Sequence, residues 1–269
     1  MSYAINDAEF KRFSSLLYDI AGIALTDAKK VLLTGRLSKR LTALGLNNYT
    51  QYFKLVTDAA HADELQFMVN LLTTNETYFF RESQHFDFLK QIVPSAVKQG
   101  HIYRVWSAAA SIGAEAYTIA MILADKLGVD GAWEVFGTDI NYSVLEQALR
   151  GHYSMAEAEK IPTGYLKKYC LKGKDSQEGT FLIDKKLRRH VSFEQLNLNA
   201  VGMKKPGDFD VIFLRNVLIY FDIPTKQRVV ANLIPCMKSG GYLIVGHSES
   251  LNGITDALTL VMPTVYRRT

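Results

Sequence analysis

The chain has 269 residues, 48% of them hydrophobic, enough to bury a full core in one large domain or in a small domain joined to a medium one. No apolar run approaches the roughly 20 residues of a membrane span, and the polar stretch from Met1 to Phe10 has no signal-peptide core, so a soluble cytoplasmic protein is expected. A net charge of +4 is too small to argue for nucleic acid, and the widely separated Cys170 and Cys236 suggest neither a disulfide framework nor a zinc site.

Residues 1–72 read as an all-α domain. Asn6 or Asp7 caps a segment in which Phe10, Phe13, Leu16, Leu17 and Ile20 recur at helical spacing, and Gly22 ends it. A second helix starts near Asp27, with Leu33, Leu37 and Leu41 on one stripe and Lys29, Arg36 and Arg40 on another, and stops at Gly45. Helices are also expected over Tyr49–Ala59 and Asp63–Leu72. From Lys29 to Val56 there are six basic residues (Lys29, Lys30, Arg36, Lys39, Arg40 and Lys54) and no acid, an asymmetry that points to an acidic partner or, as the plainer alternative, a solvated helix face.

After a linker at 73–85 and a short helix (His85–Ala96), residues 86–269 alternate strand-length apolar runs with helical stretches. Strands are expected at Tyr103–Ala108, Trp133–Thr138, Phe209–Arg215 and Gly241–Gly246, and helices near Glu115–Leu127, Tyr142–Ala148 and Pro224–Met237. Continuous apolar strands suit a sheet buried on both faces, so the expected fold is a doubly wound, Rossmann-like α/β domain. The charged, turn-rich stretch 152–192 breaks the alternation and is expected to be a small antiparallel β insert. Leu258–Arg268, interrupted at Pro263, is expected to be a hairpin on the sheet edge.

In such sheets ligands bind beyond the carboxyl ends of the strands, where strand order reverses. After the first strand comes the small-residue run Ser107-Ala-Ala-Ala-Ser-Ile-Gly113-Ala-Glu115, which lets a ligand approach the backbone, though small residues also ease packing. The second strand ends in Gly137-Thr-Asp139, whose carboxylate can accept both hydroxyls of a ribose. Together these indicate a nucleoside-type cofactor without choosing between a nicotinamide dinucleotide and S-adenosylmethionine. Two further segments, Thr73-Thr-Asn-Glu-Thr-Tyr-Phe-Phe-Arg81 and Arg215-Asn-Val-Leu-Ile-Tyr-Phe221, gather polar and aromatic groups at the domain junction and at a strand end. Each could equally be a capped, aromatic-packed hinge. Gly246-His-Ser-Glu-Ser250 has the outline of a hydrolase nucleophile elbow, but Ser250 replaces the last glycine and no helix follows.

These motifs, with Thr74-Asn-Glu-Thr-x-Phe-Phe-Arg81, Trp106-Ser-Ala-Ala, Gly137-Thr-Asp-Ile140, Phe209-Asp-x-Ile-Phe213, Arg215-Asn-Val-x-Ile-Tyr-Phe221 and Gly246-His-Ser-Glu-Ser250 in order, resemble the chemotaxis receptor glutamate O-methyltransferases, the CheR family, over nearly the whole chain. The resemblance implies S-adenosylmethionine as cofactor, no metal, and glutamate side chains of chemotaxis receptors as substrate. It implies cofactor binding by Asn75, Thr77, Arg81, Glu115, Asp139, Asn197, Leu198, Leu214 and Arg215. Asp139 would take the ribose, Glu115 the methionine ammonium, and Asn197 and Leu198 would flank the adenine. Arg81 and Tyr220 would line the reacting centre. Where many members read Ser-Thr-Gly-Glu-Glu-Pro-Tyr-Ser, this chain has Ser111-Ile-Gly-Ala-Glu-Ala-Tyr-Thr118, a departure that bears on cofactor affinity.

The resemblance also implies that the basic helix (Lys29, Lys30, Arg36, Lys39, Arg40) docks on the acidic methylation region of a receptor. A receptor C-terminal peptide would add to the β insert as a strand. The protein is expected to act as a monomer without nucleic acid or membrane insertion. The competing reading is a non-catalytic module that binds S-adenosylmethionine.

Overall fold

The computed structural model describes residues 4–93 and 100–269. Its amino-terminal part holds four α-helices: α1 (Asp7–Ala21), α2 (Lys30–Ala43), α3 (Tyr49–Val56) and α4 (Ala62–Leu72). The Asn6 side chain accepts from the backbone N–H of Glu9, whose carboxylate accepts from the Asn6 N–H, closing a capping box at the start of α1. Gly22 stops α1 in the left-handed conformation, at φ 73°. Phe13, Leu17, Leu33, Leu37, Leu41, Tyr52 and Met68 are fully buried between the helices. The helix expected over Tyr49–Ala59 ends earlier, at Val56, and residues Ala59–His61 form a 3-10 turn capped by Asp58.

Helix α5 (Ser83–Ile92) follows the linker; residues 94–96 of the helix expected there lie outside the described residues. The larger part then runs β1 (Tyr103–Ser107), α6 (Ala114–Leu127), β2 (Trp133–Asp139), α7 (Tyr142–Arg150), β3 (His152–Ser154), α8 (Thr163–Tyr169), β4 (Cys170–Lys172), β5 (Thr180–Ile183), α9 (Lys185–Arg188), β6 (Val191–Gln195), β7 (Phe209–Leu214), α10 (Ile223–Leu233), β8 (Met237–Val245), β9 (Leu258–Met262) and β10 (Val265–Arg268). The main sheet has the order β6-β2-β1-β7-β8-β10-β9, its first five strands parallel and the last two forming the edge hairpin. From β1 the chain builds outward through β2 and β6, then returns to place β7 on the other side of β1. The switch point therefore lies between β1 and β7.

Both faces of the sheet are covered. Val105, Val211, Phe213 and Ile244 pack under α5 and α6, while Trp106, Ile212, Leu214, Leu243 and Val245 pack under α10. The fifth parallel strand, β6, is absent from the sequence-based expectation. Its side chains are exposed or half-buried in alternation, unlike the continuous buried runs of β1 and β7, and its first two residues fall inside the stretch expected for the insert. The small antiparallel sheet, in the order β3-β5-β4, is fastened to the main body by aromatics. Phe79 of the linker meets Tyr153 edge-on at 5.0 Å, and the Tyr153 hydroxyl donates to the Ile112 carbonyl at 2.6 Å.

Candidate active site

A cleft opens at the switch point, lined from the sheet by Ala108, Ser111, Glu115, Asp139, Arg215 and Tyr220, and closed on another side by the linker and by residues of the helical part. Backbone strain concentrates here. Phe80, Glu82, Ser111 and Asn216 all have positive φ (57°, 54°, 49° and 58°) without being glycine, and all sit in or beside the cleft. Such conformations persist only where the surroundings over-determine them, and they cluster at functional sites.

Each strained residue has identifiable partners. The Ser111 N–H donates to Asp139 Oδ2 at 2.9 Å while its hydroxyl donates to the Asn75 carbonyl at 2.8 Å, tying the loop after β1 to the end of β2 and to the linker. Asp139 Oδ1 accepts from the Asn141 N–H at 2.9 Å. Burial pushes the Asp139 carboxyl up, against the pull of those backbone N–H groups. With the Ile140 N–H also directed at it, the carboxylate keeps only part of its acceptor capacity of about four lone-pair sites for a ligand.

Arg215, its side chain 2% exposed, lies between two carboxylates. Its Nη1 donates to Glu115 Oε2 at 3.0 Å and its Nη2 to Glu82 Oε2 at 3.0 Å, with a further bond to the Arg81 carbonyl. Glu115 also accepts from the Ser107 hydroxyl at 2.6 Å. Burial raises the Glu115 carboxyl, opposed first by Arg215 and then by Ser107. For Glu82 burial acts in the same sense but is outweighed by the Asn216 amide and Arg215, which hold it below the usual carboxylate range. One guanidinium against two carboxylates leaves the cluster with a surplus negative charge when both acids are ionised. That surplus suits a ligand carrying positive charge.

His85 and His247 bring ring nitrogens near Glu82, and the three ligand-type atoms lie within 4.8 Å of one another. The Glu82 oxygen nearest His85 already accepts from Arg215, so a cation bound there would face a guanidinium at close range. The geometry is that of an ion-pair network.

Of the residues carried over from the resemblance, Asn75, Thr77, Arg81, Glu115, Asp139, Asn197, Leu198, Arg215 and Tyr220 line the one cleft. Leu214 does not. Its side chain is fully buried in the core beneath α10. The Asn197 side chain is engaged within the protein, its Nδ2 donating to the Ile20 carbonyl at 2.6 Å and its Oδ1 accepting from the Asn199 N–H at 3.0 Å. Arg81 Nη1 donates to the Glu76 carbonyl at 2.8 Å, and its guanidinium lies 5.8 Å from the Tyr78 ring centroid. In the altered segment Ser111–Thr118, Ala114 and Ala116 are fully buried in the core, and only Ser111 and Glu115 line the cleft. Ile112, Ala116 and Thr118 likewise stand outside the lining.

The site contains groups that motif reading passed over. Glu82 follows Arg81 directly, but nothing in its spacing signals an ion pair with a residue 133 positions away. The helical part contributes Ala21, Ile23, Ala24, Leu25, Lys29 and Leu32 to the lining. They are held there by a bridge between Ile23 and Phe221 and by the Tyr18 hydroxyl, which donates to Asp222 Oδ2 at 2.9 Å. Gly22 is required at that junction, because a Cβ would lie 2.5 Å from Thr225 Cγ2. In the elbow-like segment, His247 and Ser248 are exposed, while Glu249 is buried and caps backbone N–H groups. That is a structural loop, and among the described residues no histidine or carboxylate hydrogen-bonds the Ser248 hydroxyl.

Three of the five basic residues on and before α2 have internal partners. Lys30 pairs with Asp7 at 2.6 Å, and Arg36 donates to the Leu72 and Thr73 carbonyls at 2.9 Å each, satisfying the end of α4. Arg40 Nε donates to Glu64 Oε1 at 2.9 Å and its guanidinium lies 4.0 Å from the Phe67 ring centroid. Lys29 and Lys39 are exposed. Among the described residues no helix is long and apolar enough to cross a membrane.

Comparison with known proteins identifies the family. Residues 8–73 match the CheR methyltransferase all-alpha domain, and residues 75–267 match the CheR methyltransferase SAM binding domain. The chain is 43% identical over 264 residues to the chemotaxis protein methyltransferase of Escherichia coli, covering 98% of this chain and 91% of that protein. It is 40% identical over 264 residues to the chemotaxis protein methyltransferase of Salmonella typhimurium, with 98% and 91% covered. The corresponding figures for chemotaxis protein methyltransferase 2 of Pseudomonas aeruginosa are 36% over 263 residues, with 96% and 92% covered. The chain belongs to the CheR family and is an S-adenosylmethionine-dependent methyltransferase.

Proposed function

We propose that this enzyme, acting as a monomer, esterifies glutamate side chains of chemotaxis receptors, giving glutamyl methyl esters. The observation that carries the reading is convergence: Asn75, Thr77 and Arg81 from the linker, Glu115 from the first turn of α6, Asp139 from the end of β2, and Arg215 and Tyr220 beyond β7 line one cleft at the switch point.

When bound, S-adenosylmethionine supplies an electrophilic methyl on a sulfonium. The chain's own groups hold and orient it. Asp139 has acceptor capacity for ribose hydroxyls, and Glu115 belongs to a cluster whose surplus negative charge suits an ammonium. Asn197, fixed by Ile20 and Asn199, and Leu198 form the side against which the adenine would lie. A glutamate carboxylate, with its ordinary pKa of about 4.3, is already ionised at neutral pH, so attack on the methyl needs no general base. Arg81 pairs with that carboxylate, and Tyr220 hydrogen-bonds the attacking oxygen or shapes the methyl channel. What remains is positioning and exclusion of water, and orientation alone contributes roughly 7–11 kcal/mol.

For partner recognition, Lys29 at the cleft, Lys39 on α2 and Lys54 are exposed cations suited to the acidic methylation region of a receptor, as is Lys30 once released from its surface pair with Asp7, while Arg36 and Arg40 serve chiefly inside the fold. In the small sheet β4 is an edge strand, paired among the described residues with β5 alone, and Leu171 on it is 51% exposed. A receptor peptide would add there as a strand.

Calorimetry with the cofactor, followed by transfer of labelled methyl to receptor fragments, tests the reading. Base-labile label on glutamate is expected. Cofactor binding without transfer to any receptor fragment would replace this reading with a binding module.

A further inference from the structure

The loop from Arg215 to Phe221 carries two of the proposed site residues, and what fixes it is a carboxylate outside the cleft. Glu249 is 6% exposed and is absent from the cleft lining. Its Oε2 accepts from the Gly246 N–H at 2.6 Å and from the Asn216 N–H at 2.8 Å, and its Oε1 from the Ile219 N–H at 3.3 Å. Three backbone donors thus converge on one side chain, from the start and the middle of the loop that begins after β7 and from the turn that ends β8. Asn216 holds its left-handed φ of 58° with its N–H on this carboxylate and its side-chain amide on Glu82 Oε1 at 3.1 Å. One acid holds the backbone of the hinge and the other its side chains.

We propose that Glu249 is a positioning residue for methyl transfer: it sets the backbone from which Arg215 and Tyr220 reach the cleft. The inference rests on the assignment of Tyr220 to the site. Replacing Glu249 by Gln places an amide donor against N–H donors in either orientation, because both carboxylate oxygens accept from the backbone. The loop must then shift, and a misplacement of about 1 Å remote from the chemistry costs roughly a hundredfold in rate.

The test is a double-variant cycle with Glu249→Gln and Tyr220→Phe, read as kcat for labelled-methyl transfer per folded enzyme, with folding checked by circular dichroism. The expected result is that Glu249→Gln loses roughly a hundredfold in kcat, and that adding Tyr220→Phe costs little more, since a residue acting through Tyr220 has nothing further to lose. Wild-type kcat in Glu249→Gln, or effects that simply multiply, overturns the proposal. If Glu249→Gln does not fold, Gly246→Ala takes its place under the same criteria. Its Cβ would lie 2.7 Å from Asn216 Nδ2 and 2.9 Å from Glu249 Oε2, wedging the same pair apart while keeping the carboxylate. Where Tyr220→Phe keeps the wild-type rate, the ring rather than the hydroxyl is in play and Tyr220→Ala replaces it in the cycle under the same criteria; wild-type rates for both reject the site assignment and this proposal with it, and a slow Tyr220 variant beside a wild-type Glu249→Gln rejects this proposal alone.

Discussion

Arg215 Nη1 donates to Glu115 Oε2 at 3.0 Å, a bond between the end of β7 and the first turn of α6 that lies almost wholly out of solvent. Removing the cation alone, with Arg215→Met, leaves Glu82 and Glu115 as unpaired acids in a poorly solvated place. Breaking a buried pair in this way costs about 3–5 kcal/mol. The loss should shrink as pH is lowered, because acids whose folded pKa is raised by burial are relieved by taking up protons. Urea unfolding at neutral and mildly acidic pH checks both the size and the sign.

His85 carries its own pH dependence. Burial, then the nearby Arg215, holds its imidazole down to about 4, against 6.5 for the free side chain. The unfolded chain therefore binds the extra proton between those values. The His85 contribution is full above the unfolded value and is lost as pH falls from about 6.5 towards about 4, by up to roughly 3 kcal/mol, while Glu115, Asp139 and Glu249, raised by burial, work in the opposite sense. Glu82 and Glu64, held below their ordinary 4.5, add their losses only at lower pH. Urea midpoints across this range should flatten in His85→Gln, and an unchanged slope would rule His85 out as the source.

Charge reversal on the helical part separates docking from folding. Lys29→Glu and Lys39→Glu should slow receptor methylation at low ionic strength, with the effect fading as salt shortens the screening length to about 8 Å and below. Their melting temperatures should stay near wild type. Arg40→Glu, which sets an acid against Glu64 and Tyr52, should lower the melting temperature at any salt concentration.

At the cleft, Arg81→Lys keeps the charge and loses the planar fork that pairs with a carboxylate. A drop in kcat of about tenfold or more is expected, corresponding to about 1.4 kcal/mol of barrier. Initial rates at saturating cofactor measure it, and unchanged turnover would remove Arg81 from the reacting centre.

How much of this is legible from residue order follows from what each feature depends on. β1, β7 and the inner half of β8 announce themselves because both sheet faces are covered, and the strand-end residues Glu115, Asp139 and Arg215 follow once the strands are placed. β6 stays hidden because an edge strand alternates weakly. Arg36 and Arg40 count as free charge on a helix until α4 supplies their partners. Glu82 and Glu249 act through contacts that no period or motif spacing encodes. The run of polar and aromatic groups at Thr73–Arg81 drew attention to Asn75 and Thr77 without assigning them roles, while the family resemblance alone brought in Asn197 and Leu198, and also Leu214, whose side chain the fold keeps in the core.

The bridge between Ile23 and Phe221 has a consequence for when the site can exist. Tyr18 and Asp222 are 204 residues apart, and Asn197 reaches back 177 residues to Ile20. Contacts of such separation form late, after long stretches of chain have closed into loops. During synthesis the helical part leaves the ribosome first and can collapse on its own core, yet its share of the cleft wall has nothing to close against until the segment past β7 has emerged. A fragment starting at the linker would carry every residue assigned to the chemistry and still hold its cofactor in a trough open to water.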